Sequence, residues 1–236
     1  MTKYKKKNIV AIIQARMSSE RLPNKMMLHL HGKPIIQWVV DRSRRSKLID
    51  QLVVAIPDAK KDDILEYYLN MLNVSVFRGS EDDLVDRYYE ASMLYKATHI
   101  VRICADRPLI SSDEIDNLIE YFLSGDYDYA YNHFPINNKY PIGFGAEITT
   151  MDIIKMIYLK SSNSSDREHL FNFILNKNNN LKIGTFDPHD KRIRRPELKF
   201  DIDDYDDYHR LLEVDYDINM TAHEIINKMD NFQNEI

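Results

Sequence analysis

The chain has 236 residues, 44% apolar and 29% charged, with a formal net charge of −5. That length fits one large domain with a sizeable core, and only six glycines and eight prolines argue against general disorder. The acidic total argues against a nucleic-acid binder, no apolar run reaches a membrane span, and the single cysteine, Cys104, cannot form an internal disulfide.

The run Lys5-Lys6-Lys7 before Ile9 to Ile13 imitates a secretory leader, but it is too short and ends at Gln14 and Arg16. A soluble, cytoplasmic protein with no membrane partner is expected. Ile9 to Gln14 reads as a buried strand, followed by a loop carrying Arg16, Ser18, Ser19, Arg21 and Lys25. Pro34, a favourable first helical residue, opens a helix towards Lys47. Strands at Gln51 to Ile56, Val74 to Phe77 and His99 to Cys104 alternate with helices near Lys61 to Leu72, from after Ser80 to Tyr95, and near Ser112 to Leu123. Ser80 with Asp83 three residues on resembles a capping signal. This alternation implies a parallel sheet with right-handed crossovers, an α/β fold.

After Gly125 the rhythm changes. Tyr127 to Tyr131 reads as a strand, Asn132 to Tyr140 as a loop, and Gly143 to Thr149 as an irregular strand. Amphipathic segments follow at Met151 to Leu159 and Asp166 to Asn176, then a turn at Asn176 to Asn180 and strands at Leu181 to Phe186 and Leu198 to Ile202. Helices near Tyr205 to Leu212 and Thr221 to Met229 complete the pattern.

Charge is unevenly placed. Up to Lys47 the only acids are Glu20 and Asp41, whereas Asp201-Ile-Asp-Asp-Tyr-Asp-Asp207 is densely acidic. Three cations and two hydroxyls on one loop after a strand suit a polyphosphate: Arg contributes bidentate contacts and Lys a mobile point charge. The loop lacks the glycines of a Walker A motif, and a solvated basic loop is the plain alternative. Asp106, directly after the strand ending at Cys104, sits where a carboxylate can hold Mg²⁺, or can pair with Arg102 or cap a helix. Asp201 and Asp203 alternate along a predicted strand, so they share a face and can grip one cation. Helix capping and solvent exposure would account for the same aspartates. Cys104, within Ile100-Val-Arg-Ile-Cys104, reads as a small buried residue. His29, His31, His133 and His189 read as structural or loop residues.

Together these motifs supply phosphate neutralisation and a metal site, the main requirements of nucleotidyl transfer. The segment Ile13-Gln-Ala-Arg-Met-Ser-Ser-Glu-Arg-Leu-Pro-Asn-Lys25 resembles the signature loop of cytidylyltransferases that activate acidic sugars. CMP-KDO synthetases and acylneuraminate cytidylyltransferases are among them, and the likeness is closest to the spore coat polysaccharide biosynthesis protein F family. Arg78-Gly-Ser-Glu-Asp-Asp-Leu-Val-Asp-Arg-Tyr-Tyr89, Ala105-Asp-Arg-Pro-Leu-Ile110, Asp166-Arg-Glu-His169 and Asp203-Asp-Tyr-Asp-Asp207 carry the resemblance along nearly the whole chain.

The resemblance implies a Rossmann-like three-layer nucleotidyltransferase fold spanning residues 1–236. An excursion at about 126–180 would serve acceptor binding and homodimer formation. CTP would be one substrate and an acidic sugar or related molecule the acceptor. Arg16, Lys25 and Asp106 would be catalytic. The nucleotide set would be Gln14, Ala15, Arg16, Ser18, Ser19, Arg21 and Lys25, with Arg78, Gly79 and Ser80 near the base and ribose. Asp106 and Asp203 would ligate Mg²⁺, joined by Asp201. Tyr140 and Glu147 fall where the sugar would sit. Arg167, Glu168 and His169 read either as acceptor contacts or as a surface helix with a salt bridge. Ala105 stands where these enzymes commonly have Gly, and Arg107 adds a cation beside the metal position. Two other readings stay open here: a glycosyltransferase using the Asp-x-Asp pair, and a non-catalytic nucleotide- or sugar-binding homologue.

Overall fold

A computed structural model describes residues 7–168, 170–176 and 180–235. His169, of the expected acceptor set, lies outside these residues, as do Lys5, Lys6 and residues 177–179 of the expected turn.

The strands are β1 (Ile9–Gln14), β2 (His29–Leu30), β3 (Lys33–Pro34), β4 (Gln51–Pro57), β5 (Ser75–Gly79), β6 (His99–Cys104), β7 (Tyr129–Tyr131), β8 (Glu147–Thr150) and β9 (Ile183–Gly184). The helices are α1 (Ile35–Ser43), α2 (Asp63–Met71), α3 (Leu84–Leu94), α4 (Ser112–Ser124), α5 (Met151–Lys160), α6 (Ser164–Glu168), α7 (Asn172–Asn176), α8 (Tyr205–Glu213) and α9 (Ala222–Glu235). Seven strands form one sheet in the order β5-β4-β1-β6-β8-β7-β9, while β2 and β3 make a separate hairpin. The first four run parallel, and β8 lies antiparallel between β6 and β7.

The sheet is buried on both faces, so its parallel strands read as continuous apolar runs. Alternate residues still divide between two cores. Ala11 and Ile13 face the layer of α1, α2, α4, α8 and α9, while Val10 and Ile12 face that of α3, α5 and α7. The result is a mostly parallel, Rossmann-like three-layer α/β fold, as the sequence pattern and the resemblance imply. Among the described residues, no helix is long and apolar enough to cross a membrane.

Several local readings differ from expectation; the strand expected at Gly143 to Thr149, for one, is only β8. The segment Leu198 to Ile202 is not a named strand. It makes one parallel bridge, Ile142↔Lys199, closed by bonds from Ile142 N to Leu198 O and from Phe200 N to Ile142 O, both 2.9 Å. The reason lies at its partner, where Gly143 takes φ +100° and ends the ladder. Helix α3 starts later than the Ser80 capping signal implies, because Asp83 is its cap and accepts from Asp86 N at 2.8 Å, while Ser80 Oγ accepts from Asp83 N. The expected strand at Leu181 to Phe186 shrinks to β9.

Gly143 decides where Asp201 sits. A Cβ there would lie 2.8 Å from Phe200 C and 2.9 Å from Asp201 N, and the backbone is already left-handed. Gly143→Ala is expected to lower stability by ~2–3 kcal/mol through strain and the forced shift of residues 200–201. A thermal melt of the purified variant checks this; an unchanged Tm would contradict the placement.

Candidate active site

The carboxyl ends of β1 and β6 open onto a cleft of about 780 Å³. The neighbouring parallel strands point the same way, so both post-strand loops reach this one crevice. Cys104, Ala105 and Asp106 line it on one side, and Gln14 to Arg16, Ser18 to Arg21 and Lys25 on the other.

The loop after β1 is held from within and below. Ala15 N donates to Ala55 O and Ala105 N to Gln14 O, both at 3.2 Å, joining it to β4 and β6. Met17 N donates to Asp62 Oδ1 at 2.7 Å, and Leu22 N to Ser19 Oγ at 3.3 Å. Asn24 takes φ 57° and turns the chain into a short 3₁₀ turn, Lys25–Met27. These bonds fix the backbone while leaving Arg16 exposed, with no ion pair among the described residues. Arg21 reaches Asp203 at 3.0 Å from an exposed position. Lys25 is buried: its Nζ donates to Ile202 O at 2.7 Å and lies 3.9 Å from Asp106 Oδ2.

The structure brings together the carboxylates that the sequence singles out. Ile202 N donates to Asp106 O at 2.8 Å, binding the late acidic segment to the loop after β6. Asp201 is 9% exposed, and Oδ1 of both Asp106 and Asp201 is buried without a hydrogen-bond partner. Burial and the nearby Asp106 push the Asp201 carboxyl up to about 6. Two unbonded buried carboxylate oxygens in mutual repulsion are chemically suited to a hard divalent cation such as Mg²⁺. Asp203 is already engaged by Arg21 and by Lys199 at 3.3 Å.

Beyond Asp106 lies a buried polar network. Arg102 of β6 stands opposite Glu147 of β8 in the sheet register and pairs with it. Arg102 Nε donates to Gln14 Oε1 at 2.9 Å, and Tyr129 OH donates to Glu147 Oε1 at 2.7 Å. Burial alone would raise the Glu147 carboxyl, but the Arg102 charge outweighs it and holds it at about 2. His133 Nε2 lies 3.9 Å from Glu147, and burial pushes the imidazole down to about 3, leaving it neutral at pH 7. His133 Nδ1 and Arg107 Nε are buried without hydrogen-bond partners.

Other expected residues are engaged elsewhere. Arg78 does not line the cleft; it binds Asp58 at 3.1 Å, Asp63 at 2.8 Å and Glu66 at 2.6 Å. Gly79 and Ser80 are also outside the lining, which continues instead with Glu81, Asp82, Leu84 and Arg87. Tyr140 is fully buried and donates to Glu114 at 2.5 Å. Arg167 pairs with Asp83 and lies over the Tyr158 ring, so the salt-bridge reading describes its contacts. Glu168 reaches the cleft. Cys104 is a buried free thiol whose pKa burial pushes up, which does not favour a nucleophile.

Two residues, Arg87 on the cleft wall and Asp62 beneath the loop, are not singled out by the sequence reading. Arg87 is 3% exposed, and its guanidinium donates to the Ser80 and Glu81 carbonyls, so it carries a charge to the cleft wall without a carboxylate partner. Asp62 is fully buried beneath the loop and accepts from Met17 N. Both sit in or beside amphipathic helices, where a lone charge reads as a solvated face. An acid just before α2, facing a loop that needs N–H acceptors, was the available hint.

A cytidylyltransferase family model matches residues 10–230. The chain belongs to the cytidylyltransferase family. It is therefore a CTP-dependent nucleotidyltransferase. The spore coat polysaccharide biosynthesis protein SpsF of Bacillus subtilis is 30% identical over 206 residues, covering 85% of this chain and 83% of that protein. The uncharacterized protein MJ1063 of Methanocaldococcus jannaschii is 34% identical over 225 residues, covering 94% and 90%. A cytidylyltransferase structure from Leptospira borgpetersenii superposes with a TM-score of 0.87 at 27% identity, covering 97% of this chain and 96% of that one. Membership of this family favours nucleotidyl transfer over the glycosyltransferase reading.

Proposed function

We propose that this cytidylyltransferase transfers CMP from CTP to an acidic sugar or related acid, releasing pyrophosphate, for surface polysaccharide or glycoconjugate assembly. The observation that carries this reading is the meeting, in one cleft, of the Arg16–Lys25 loop with Asp106 and Asp203, with Asp201 buried behind Asp106. The name of the Bacillus relative supports the polysaccharide setting.

Arg16, Arg21 and Lys25 neutralise the triphosphate, and Ser18 and Ser19 complete the cradle with loop N–H groups. Gln14 and Ala15 form the cleft floor beside the nucleotide. Arg87 adds charge at the wall where Glu81 and Asp82 approach. Asp106 and Asp201, with Asp203, would hold Mg²⁺. The ion would supply charge neutralisation on the phosphates. Lys25, desolvated next to Asp106, is placed to stabilise charge developing on the leaving pyrophosphate.

The acceptor side would be the wall beyond Asp106, where Arg107, His133 and the Arg102–Glu147 pair form a buried polar network. Glu147 acts there as the counter-ion of Arg102, and a carboxylate-bearing acceptor suits the cation that remains, Arg107. Glu168, on the cleft lining, would face the acceptor from the same side. Residues 126–180 supply much of this side and a homodimer contact, and the protein works in the cytoplasm.

The test is pyrophosphate release from CTP with Mg²⁺ and a panel of sugar acids. Release with at least one acid, dependent on Mg²⁺, is expected. No turnover across the panel with intact CTP binding would favour a non-catalytic homologue instead.

A further inference from the structure

Lys199 lies in the middle of the acidic segment. Its Nζ is 3.5 Å from Asp201 Oδ1, 3.3 Å from Asp203 Oδ2 and 2.5 Å from Asp207 Oδ2. Those three carboxylates lie close enough to ligate one ion together. The ammonium thus contacts all three carboxylates that a divalent cation would need. Asp201, nine-tenths buried with Oδ1 lacking a hydrogen bond, points into the same space.

The surrounding charge is balanced. Asp106 faces Lys25, Asp203 faces Arg21, and Asp207 faces Lys199 and Arg210, the last at 2.9 Å. Arg107 acts on Asp201 as well. A bare divalent cation entering this cluster gains little field and must displace an ammonium. A triphosphate changes that balance, because it draws Arg21 and Lys25 towards its own oxygens and leaves Asp203 and Asp106 without cation partners. Lys199 can then withdraw onto Asp207, whose carboxylate also accepts from Asp203 N at 2.9 Å and stays fixed.

We propose that Lys199 is an internal counter-ion that keeps the metal site closed to a free divalent cation until the nucleotide binds, so that metal and CTP enter together. This rests on the metal site proposed above at Asp106, Asp201 and Asp203. It differs from a purely structural role, in which Lys199 only anchors the start of α8 through Asp207.

Mn²⁺ alone, followed by electron paramagnetic resonance of the free ion, tests this on the full chain without nucleotide. Wild type is expected to bind Mn²⁺ weakly, and Lys199→Met about tenfold tighter or more, since a charge at this range is worth at least that factor in a partly buried site. Lys199→Arg, which keeps the charge, should stay as weak as wild type. Asp201→Asn in the Lys199→Met background should abolish the gain. If Lys199→Met does not fold, Lys199→Gln gives the same comparison with a hydrogen-bond donor retained. Equal Mn²⁺ affinity in wild type and both neutral variants would overturn the proposal. If Asp201→Asn and Asp106→Asn leave Mn²⁺-dependent turnover unchanged, the metal-site reading itself fails, which is a separate outcome.

Discussion

Asp106→Asn is expected to reduce kcat by about a thousandfold or more at saturating CTP, with little change in stability. The substitution removes a ligand charge that faces Asp201 but breaks no hydrogen bond of Oδ1, which has none. The backbone bond from Ile202 N to Asp106 O is kept. The substitution relieves the repulsion that Asp106 imposes on Asp201 but also removes the carboxylate beside buried Lys25, so the two effects on stability oppose each other. Steady-state kinetics with Mg²⁺ titration, alongside a thermal melt, check this. Near-normal kcat in a folded Asp106→Asn protein would remove Asp106 from the chemistry.

Lys25→Met should cost about 10²–10³-fold in kcat and raise the KM for CTP. Lys25 differs from Arg16 and Arg21 in being buried, so its charge acts on the leaving group with little solvent screening. It is also structural: without Nζ, the Ile202 carbonyl loses its buried donor, a loss of about 1–3 kcal/mol. Lys25→Arg should not restore activity, because a planar guanidinium does not fit where a compact ammonium meets both Ile202 O and Asp106. Recovery of full activity with Arg would show that the site asks only for charge. Arg16→Ala, at an exposed position, should affect KM more than kcat.

Much of this was readable in the residues. Apolar runs at Ile9–Gln14 and His99–Cys104 could only be buried parallel strands, and their loops had to meet at one end of the sheet. Each loop therefore falls at a strand's carboxyl end, and the pairing of β1 with β6 sets Arg16 to Lys25 beside Asp106. The Asp201/Asp203 pair was readable as a shared face, but its support was not a regular strand. It comes from a backbone approach at Gly143 that no local pattern announces. Arg78 illustrates the opposite limit. Its motif suggested ligand contact, yet three acids at Asp58, Asp63 and Glu66, separated in sequence, converge on it through the β4–α2 turn. Long-range ion pairing of this kind has no short-range signal. Arg87 and Asp62 were invisible for the same reason: helical spacing gives their exposure only once neighbouring elements are packed.

The acceptor wall shows the same contrast. Glu147 is expected near the sugar from the resemblance; in the structure, cross-strand register commits it to Arg102. His133, which reads from sequence as an ordinary loop histidine, ends beside it with an unbonded buried nitrogen. A carboxylate acceptor would meet cations already fixed by the sheet.

The most direct test of the central claim follows the label in CTP carrying ³²P at the α-phosphorus, incubated with the protein, Mg²⁺ and sugar acids. Transfer of the label into an acceptor conjugate, in step with unlabelled pyrophosphate, is the predicted result. Label that stays in CTP with every acid, or that appears only as free CMP, would contradict it.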